Sequence, residues 1–149
     1  MSFDLAALFP GDAQLAQGLL ACNDFTRAYG LALTRDQALE LCETRSRALK
    51  VTGRVEFGGG ILEKLAQTFA PSPFLSAGDW ADALGVLVEQ FYAAKTESGD
   101  RLTDDALIRW MYEAFNGPCR GSLDLLESRL DGLARRVRGG EVTEEDRHE

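Results

Sequence analysis

Apolar residues recur along this chain at steps of three and four, and this spacing constrains the fold more than any other feature. The clearest run lies between Leu123 and Val137, where apolar residues occupy positions 123, 126, 130, 133 and 137. Such spacing places side chains on one face of an α-helix, whereas a half-buried strand alternates at steps of two. Similar faces recur in five other segments, and alternation is nearly absent. The sequence therefore predicts an all-α protein.

Capping residues and helix breakers divide the chain into helices. Thr34 with Gln37 forms a capping box, Thr103 is a second cap, and Gly53 is a stop signal. After a turn near residues 3–8 and a break at Pro10-Gly11, the expected helices span 12–30, 34–51, 61–69, 76–98, 103–116 and 122–137. In this reading Asp12 and Ser76 cap the first and fourth helices. These elements predict a single compact bundle of five or six amphipathic helices over residues 1–138, followed by a polar C-terminal tail at 139–149.

The apolar seam of the last predicted helix has two interpretations. It extends over about two heptads, which is short of the three or four that indicate a coiled coil. We expect the seam to pack inside the bundle, and a seam between two copies of the chain is the alternative.

Charge and hydropathy exclude several classes of partner. The chain carries 24 acidic and 16 basic residues, a net charge of −8. Residues 71–117 alone hold eight acidic and three basic side chains, a balance of −5. An acidic protein repels phosphate backbones, so we expect no nucleic-acid binding. No apolar run approaches the roughly 20 residues of a membrane span, and no signal-peptide pattern is present, so we expect a cytoplasmic protein without a membrane partner.

The cysteines and the single histidine give no pattern typical of a metal, a cofactor or a catalytic site. Cys22, Cys42 and Cys119 lie far apart, and His148 is in the tail. We therefore predict core thiols, no disulfide framework, no metal site and no cofactor. A serine or cysteine nucleophile lacks a histidine base for the same reason.

Four charged residues are the candidates for a ligand site. Arg45 falls near the middle of an apolar helical stripe, where a guanidinium is costly unless it is paired. It either bridges to Glu56 and pins the following loop, or lines a pocket for a carboxylate or phosphate. Lys95 lies on another apolar stripe, in a last turn from which its ammonium can extend to solvent. Arg54 belongs to the same slightly basic segment of the chain as Arg45.

Two other patterns are weak. Gly58-Gly59-Gly60 precedes a helix, as in phosphate-binding loops, but its spacing matches neither known glycine motif, so a flexible turn or a close helix crossing is expected. The carboxylates between 97 and 105 lack the regular spacing of a calcium loop, and helix capping explains them more simply.

Several short motifs lie between Leu33 and Arg129, at spacings that together form a pattern. They are Leu33-Thr34, Arg45, Gly53-Arg54-Val55-Glu56-Phe57-Gly58, Lys64-Leu65, Ser72-Pro73-Phe74, Phe91-Tyr92 with Lys95 and Glu97, Asp104-Asp105 with Leu107-Ile108, and Gly121-Ser122-Leu123. With these motifs the stretch resembles a bacterial family of small helical proteins of unknown function. The resemblance implies a bacterial origin and supplies no activity, substrate or cofactor. The chain departs from the pattern by carrying glycine at 59 and 60.

Two functional hypotheses follow. The first is a non-enzymatic protein-interaction module that presents an apolar surface to a protein partner or a second copy, the 123–137 helix being one option. The −5 segment favours a basic partner. The second is a binder of, or an enzyme acting on, a small anionic metabolite, held by Arg45, Arg54, Glu56 and Lys95 in one concave site.

Overall fold

The computed structural model describes residues 10–56 and 60–140, and within these ranges it contains helices, turns and no strand. Six helices have ten residues or more, which confirms the all-α prediction. The elements in chain order are α1 (Pro10–Ala21), α2 (Asn23–Thr26), a 3-10 turn (Arg27–Tyr29), α3 (Arg35–Thr52), α4 (Gly60–Phe69), α5 (Trp80–Glu97), α6 (Asp104–Asn116) and α7 (Leu123–Arg138). The predicted turn at 3–8, residues 58 and 59 of the glycine run, and residues 141–149 of the predicted tail lie outside the described residues.

The caps predicted for α3 and α6 are present. The Thr34 hydroxyl accepts from the Gln37 N–H at 3.1 Å, and the Gln37 side chain accepts from the Thr34 N–H at 2.9 Å. Thr103 accepts from the Ala106 N–H at 3.1 Å. Gly53 ends α3 in the left-handed conformation, with φ of 73°. Local hydrogen bonding therefore sets these boundaries, which is why the sequence predicts them well.

Three predicted boundaries are wrong. Pro10 is not part of a break but the first residue of α1, a position where its missing N–H costs no hydrogen bond. The first helix also ends at Ala21, before α2 and the 3-10 turn, rather than running on to Gly30. α5 begins at Trp80, because the Ser76 hydroxyl donates to the Asp79 carboxylate at 2.9 Å within a turn instead of capping a helix.

The six longer helices alternate in direction. Leu41 lies close to Gly85 and Arg54 bonds Thr96, so α3 and α5 run the same way. α7 follows that direction, since its first residue contacts Gln90 and its last turn contacts Arg101. α1, α4 and α6 run the opposite way, as the contacts between Cys22 and Gln67 and between Phe69 and Phe115 indicate. An up-and-down bundle with short connections results.

α5 is the central helix and packs against α3, α4, α6 and α7. Its residues Trp80, Phe91 and Tyr92 are among the largest fully buried side chains. The apolar seam of α7 is buried against its neighbours, so it faces the bundle as expected. The three cysteines are buried in the core, as predicted. Among the described helices, none has the length and apolarity needed to cross a bilayer.

The loops at 71–79 and 117–122 pack against each other at the end opposite the 53–56 loop. Phe74 lies edge-on to Phe115, with ring centroids 6.3 Å apart. Gly121 has φ of 80°, and a Cβ added there would lie 2.5 Å from the Cβ of Phe74. The close approach of Phe74 therefore requires glycine at 121.

Candidate functional site

One end of the bundle gathers the charged residues that the sequence singles out, and we call it the basal end. α3 and α5 finish there, α4 and α6 begin there, and the loops 53–56 and 98–103 lie between them. Arg54 and Glu56 lie on the first loop, whereas helices carry Arg45 and Lys95. These residues approach one another because consecutive antiparallel helices bring their connecting loops to one end.

Arg45 contacts the loop that follows its own helix. Its side chain is 5% exposed, and Nη2 donates to the main-chain carbonyl of Glu56 at 2.9 Å. The sequence predicted contact between these two residues, but the bond uses the backbone of Glu56 rather than its carboxylate. Because a buried guanidinium needs hydrogen-bond acceptors, this bond fixes the loop against α3.

Arg54 forms an ion pair across the basal end. Nη2 lies 2.7 Å from Oδ1 of Asp100, and Nη1 donates to the Thr96 hydroxyl at 3.3 Å. The bond to the Arg54 guanidinium lowers the pKa of Asp100 below its usual value and raises that of Arg54. The pair joins the loop after α3 to the loop after α5.

Lys95 does not extend to solvent, so this expectation was wrong. The residue is 9% exposed, and Nζ donates to the Leu102 carbonyl while it lies 2.9 Å from Oδ1 of Asp104. Lys64 makes a similar pair with Asp105 at 2.7 Å. The aspartates that the sequence assigned to helix capping therefore also neutralise lysines, because α6 begins where α5 ends and next to α4.

Tyr92 is a buried member of the basal end that sequence reasoning did not propose for a site. Among the described residues its hydroxyl has no hydrogen-bond partner, although Glu56 and Arg45 lie close enough to affect its ionisation. Burial raises the pKa of this phenol, the Glu56 carboxylate raises it further, and the Arg45 guanidinium opposes the shift. The pairing of tyrosine with these two groups depends on tertiary packing, and residue spacing alone gives no signal of it.

A second charged surface lies along the side of the bundle, where α3, α5 and α7 are neighbours. It carries five carboxylates, which together define what we call the acidic face: Glu40 on α3, Asp82 and Glu89 on α5, and Glu127 and Asp131 on α7. Within residues 10–56 and 60–140, none of these carboxylates lies within 4.0 Å of a cationic group. Their spacing of seven on α5 and four on α7 was the available sequence signal.

Two grooves follow α5 on the acidic face, one on each side, and Glu89 belongs to both. The α3–α5 groove has a volume of about 310 Å³ and includes Glu40 and Asp82. The α5–α7 groove has a volume of about 240 Å³ and includes Glu127 and Asp131. Both grooves are open surface features whose charged groups are carboxylates.

Exposed apolar side chains are scattered rather than gathered on α7. Phe25 and Tyr29 are each about half exposed and stack at a centroid distance of 5.6 Å, at the end opposite the basal end. Val51 and Val55 are exposed on the last turn of α3 and the loop after it. The seam of α7 is covered inside the bundle, and Leu125 is its large apolar side chain that is about half exposed.

Comparison with known proteins places the chain in a family without assigning an activity. A family model described as a family of unknown function, DUF6323, matches residues 18–143. No curated protein and no solved structure matches the chain significantly. Since the match spans most of the sequence, the chain belongs to this family of unknown function, DUF6323.

Proposed function

We propose that the chain is a non-enzymatic interaction module of a bacterial cytoplasmic complex, and that it binds a basic partner protein through the acidic face. The observation that carries the proposal is the contrast between the two charged surfaces. At the basal end Arg54, Lys64 and Lys95 each have an aspartate partner within 3 Å. On the acidic face no carboxylate has a cationic partner in the described part of the chain.

The contrast has a physical consequence for binding. A charge that is paired within the protein already makes a favourable Coulomb interaction and gains little from a partner. Unpaired carboxylates on one surface repel each other and attract a surface of opposite sign. A basic partner supplies the missing cations and gains association rate from the field of the whole face. A second copy of the chain brings another acidic face and is repelled, so we assign the face to a different protein.

A second candidate function is supported by one feature of the basal end. Arg45, Arg54, Glu56 and Lys95 approach one another there, and the buried hydroxyl of Tyr92 has no hydrogen-bond partner within residues 10–56 and 60–140. A small anionic metabolite bound there would accept hydrogen bonds from the two arginines, from Lys95 and from the Tyr92 hydroxyl. It would first have to displace the aspartates that pair with Arg54 and Lys95, and this cost makes the interaction module the better-supported function.

The proposal is tested by affinity capture with charge variants. The tagged protein is compared with a face variant that lacks three carboxylates and with a control variant that lacks three exposed carboxylates elsewhere. The face variant is Glu89→Gln, Glu127→Gln and Asp131→Asn, and the control is Glu43→Gln, Glu113→Gln and Asp124→Asn. Both variants change the net charge by the same amount, so only the place of the charge differs.

We expect a basic protein to be captured by the wild type and by the control, to be lost from the face variant, and to elute as salt shortens the screening length. Capture of the same protein by the face variant contradicts the proposal. An anionic small molecule retained by all three proteins in place of a protein favours the second candidate.

A further inference from the structure

The α5–α7 groove differs from the α3–α5 groove because one residue that lines it has a buried polar atom without a partner in the described part of the chain. Gln90 is 7% exposed and forms part of this groove, beside Glu89. Its amide nitrogen donates to the Leu123 carbonyl at 2.9 Å, and this bond fixes the orientation of the amide. Oε1, the other polar atom of this amide, is buried and has no hydrogen-bond partner among the described residues. A donor that reached it would satisfy a buried acceptor, a condition that folded proteins strongly favour.

The arrangement of the carboxylates indicates which kind of cationic donor the groove can bind. Glu89 lies on one wall, and Glu127 and Asp131 lie on the other. Among the described residues, no group of three or more acidic, histidine or cysteine side chains is placed to hold a metal ion. Acceptors that lie on opposite walls cannot all contact one compact cation. A guanidinium presents five N–H donors in a planar fork and can serve several separated acceptors at once.

The floor of the groove matches the rest of an arginine side chain. Leu130 lines the groove together with two alanines of α5. An arginine buries its methylene stem along apolar surface while its head group remains among polar groups. The groove therefore offers apolar contact for a stem and carboxylate and amide oxygens for a guanidinium.

We propose that the α5–α7 groove is the anchor site for one arginine side chain of the basic partner. The guanidinium donates to Oε1 of Gln90 and to the carboxylates of Glu127 and Asp131, and its stem lies along Leu130. This inference rests on the proposed function, since it specifies the residue with which a partner occupies the acidic face. It assigns different tasks to the two grooves: the α5–α7 groove selects arginine, and the α3–α5 groove attracts any cation.

The experiment compares two probes of equal charge, a fluorescent hexa-arginine peptide and a hexa-lysine peptide, in equilibrium titrations monitored by anisotropy. We expect the full-length protein to bind hexa-arginine about tenfold more tightly, because a bidentate guanidinium bond is lost with lysine. The Glu127→Gln, Asp131→Asn double variant and Gln90→Met should each remove most of this preference. The Glu127, Asp131 double variant changes exposed positions only, so the test remains valid even if Gln90→Met fails to fold.

The matched control is the double variant Glu40→Gln, Asp82→Asn in the other groove. It removes the same charge from the same face, so it should weaken the binding of both peptides equally, by about two- to fivefold for each exposed ion pair lost. The preference for hexa-arginine should remain. Equal affinity for the two peptides overturns the arginine anchor, and so does a preference that survives in Gln90→Met and in the Glu127, Asp131 double variant.

The outcomes separate this inference from the proposed function. If both peptides bind equally and every face variant weakens them, the arginine anchor fails and the acidic face remains the binding surface. If neither peptide binds, or if the face variants bind as the wild type does, both proposals fail. If spermine binds this groove more tightly than hexa-arginine, the groove is a polyamine site and the arginine anchor is wrong.

Discussion

Removing the guanidinium of Arg45 tests whether this residue stabilises the fold. In Arg45→Met the side chain keeps a similar apolar stem, but the charged hydrogen bond to the Glu56 carbonyl is lost. Hydrogen bonds to charged groups contribute about 1.5–3 kcal/mol each. Arg45→Ala also removes the Cγ and Cδ methylenes of a residue that is 5% exposed, at about 0.8 kcal/mol each. We therefore expect losses of about 2 kcal/mol for the methionine variant and about 3–5 kcal/mol for the alanine variant.

The free energy of unfolding is measured by urea titration, with Arg47→Met as the matched control. Arg47 is exposed on the same helix and donates to the Thr44 hydroxyl at 3.1 Å, so its substitution should change stability by less than about 0.5 kcal/mol. If Arg45→Ala costs no more than the control, the assignment of Arg45 to loop fixation is wrong. Stability that survives together with lost binding of an anionic metabolite instead assigns Arg45 to the second candidate function.

Three further predictions concern a turn and two ionisable groups. Gly121→Ala adds a clash with Phe74 to the strain of a positive φ, so the free energy of unfolding, measured by urea titration, should fall by about 2–4 kcal/mol. The control Gly53→Ala should cost about 1–2 kcal/mol, because φ is positive there but a Cβ has no neighbour within 4 Å. Tyr92 keeps its proton in the folded state because its pKa is raised, so stability should fall as pH rises above 10. Tyr92→Phe should reduce that fall, and an equally steep fall in the variant would contradict the assignment. The lowered pKa of Asp100 contributes stability above its usual value of 3.8, which is lost as pH falls through the folded value. The difference in unfolding free energy between wild type and Asp100→Asn should therefore disappear in strong acid, and a difference that persists there would refute it.

The sequence predicted what depends on local spacing. The helical faces and the Thr34 and Thr103 caps are confirmed because both ends of each interaction lie within a few residues. The predicted start of α5 was wrong because the Ser76 hydroxyl can bond either a helix N–H or the Asp79 carboxylate. The sequence does not show which of these two hydrogen bonds is more stable.

The candidate site was predicted less completely for a related reason. Arg45 was recognised because a charge on an apolar stripe is visible in one helix, and Glu56 was close in sequence. The partner of Arg54 lies 46 residues later, at Asp100, and only the packing of α3 beside α5 shows it. Only Asp82 and Glu89 of the acidic face lie in the segment with a charge balance of −5. The other three carboxylates come from α3 and α7, and their approach required the tertiary structure.

The central claim is that a basic partner binds the acidic face, and the most direct test is a map of where a basic probe binds. Hexa-arginine peptide is titrated into the ¹⁵N-labelled protein while the backbone amide shifts are followed. We expect saturable shifts along the exposed side of α5 and the facing turns of α3 and α7, largest around the α5–α7 groove. Shifts confined to the basal end, or to the aromatic pair Phe25 and Tyr29, would contradict it.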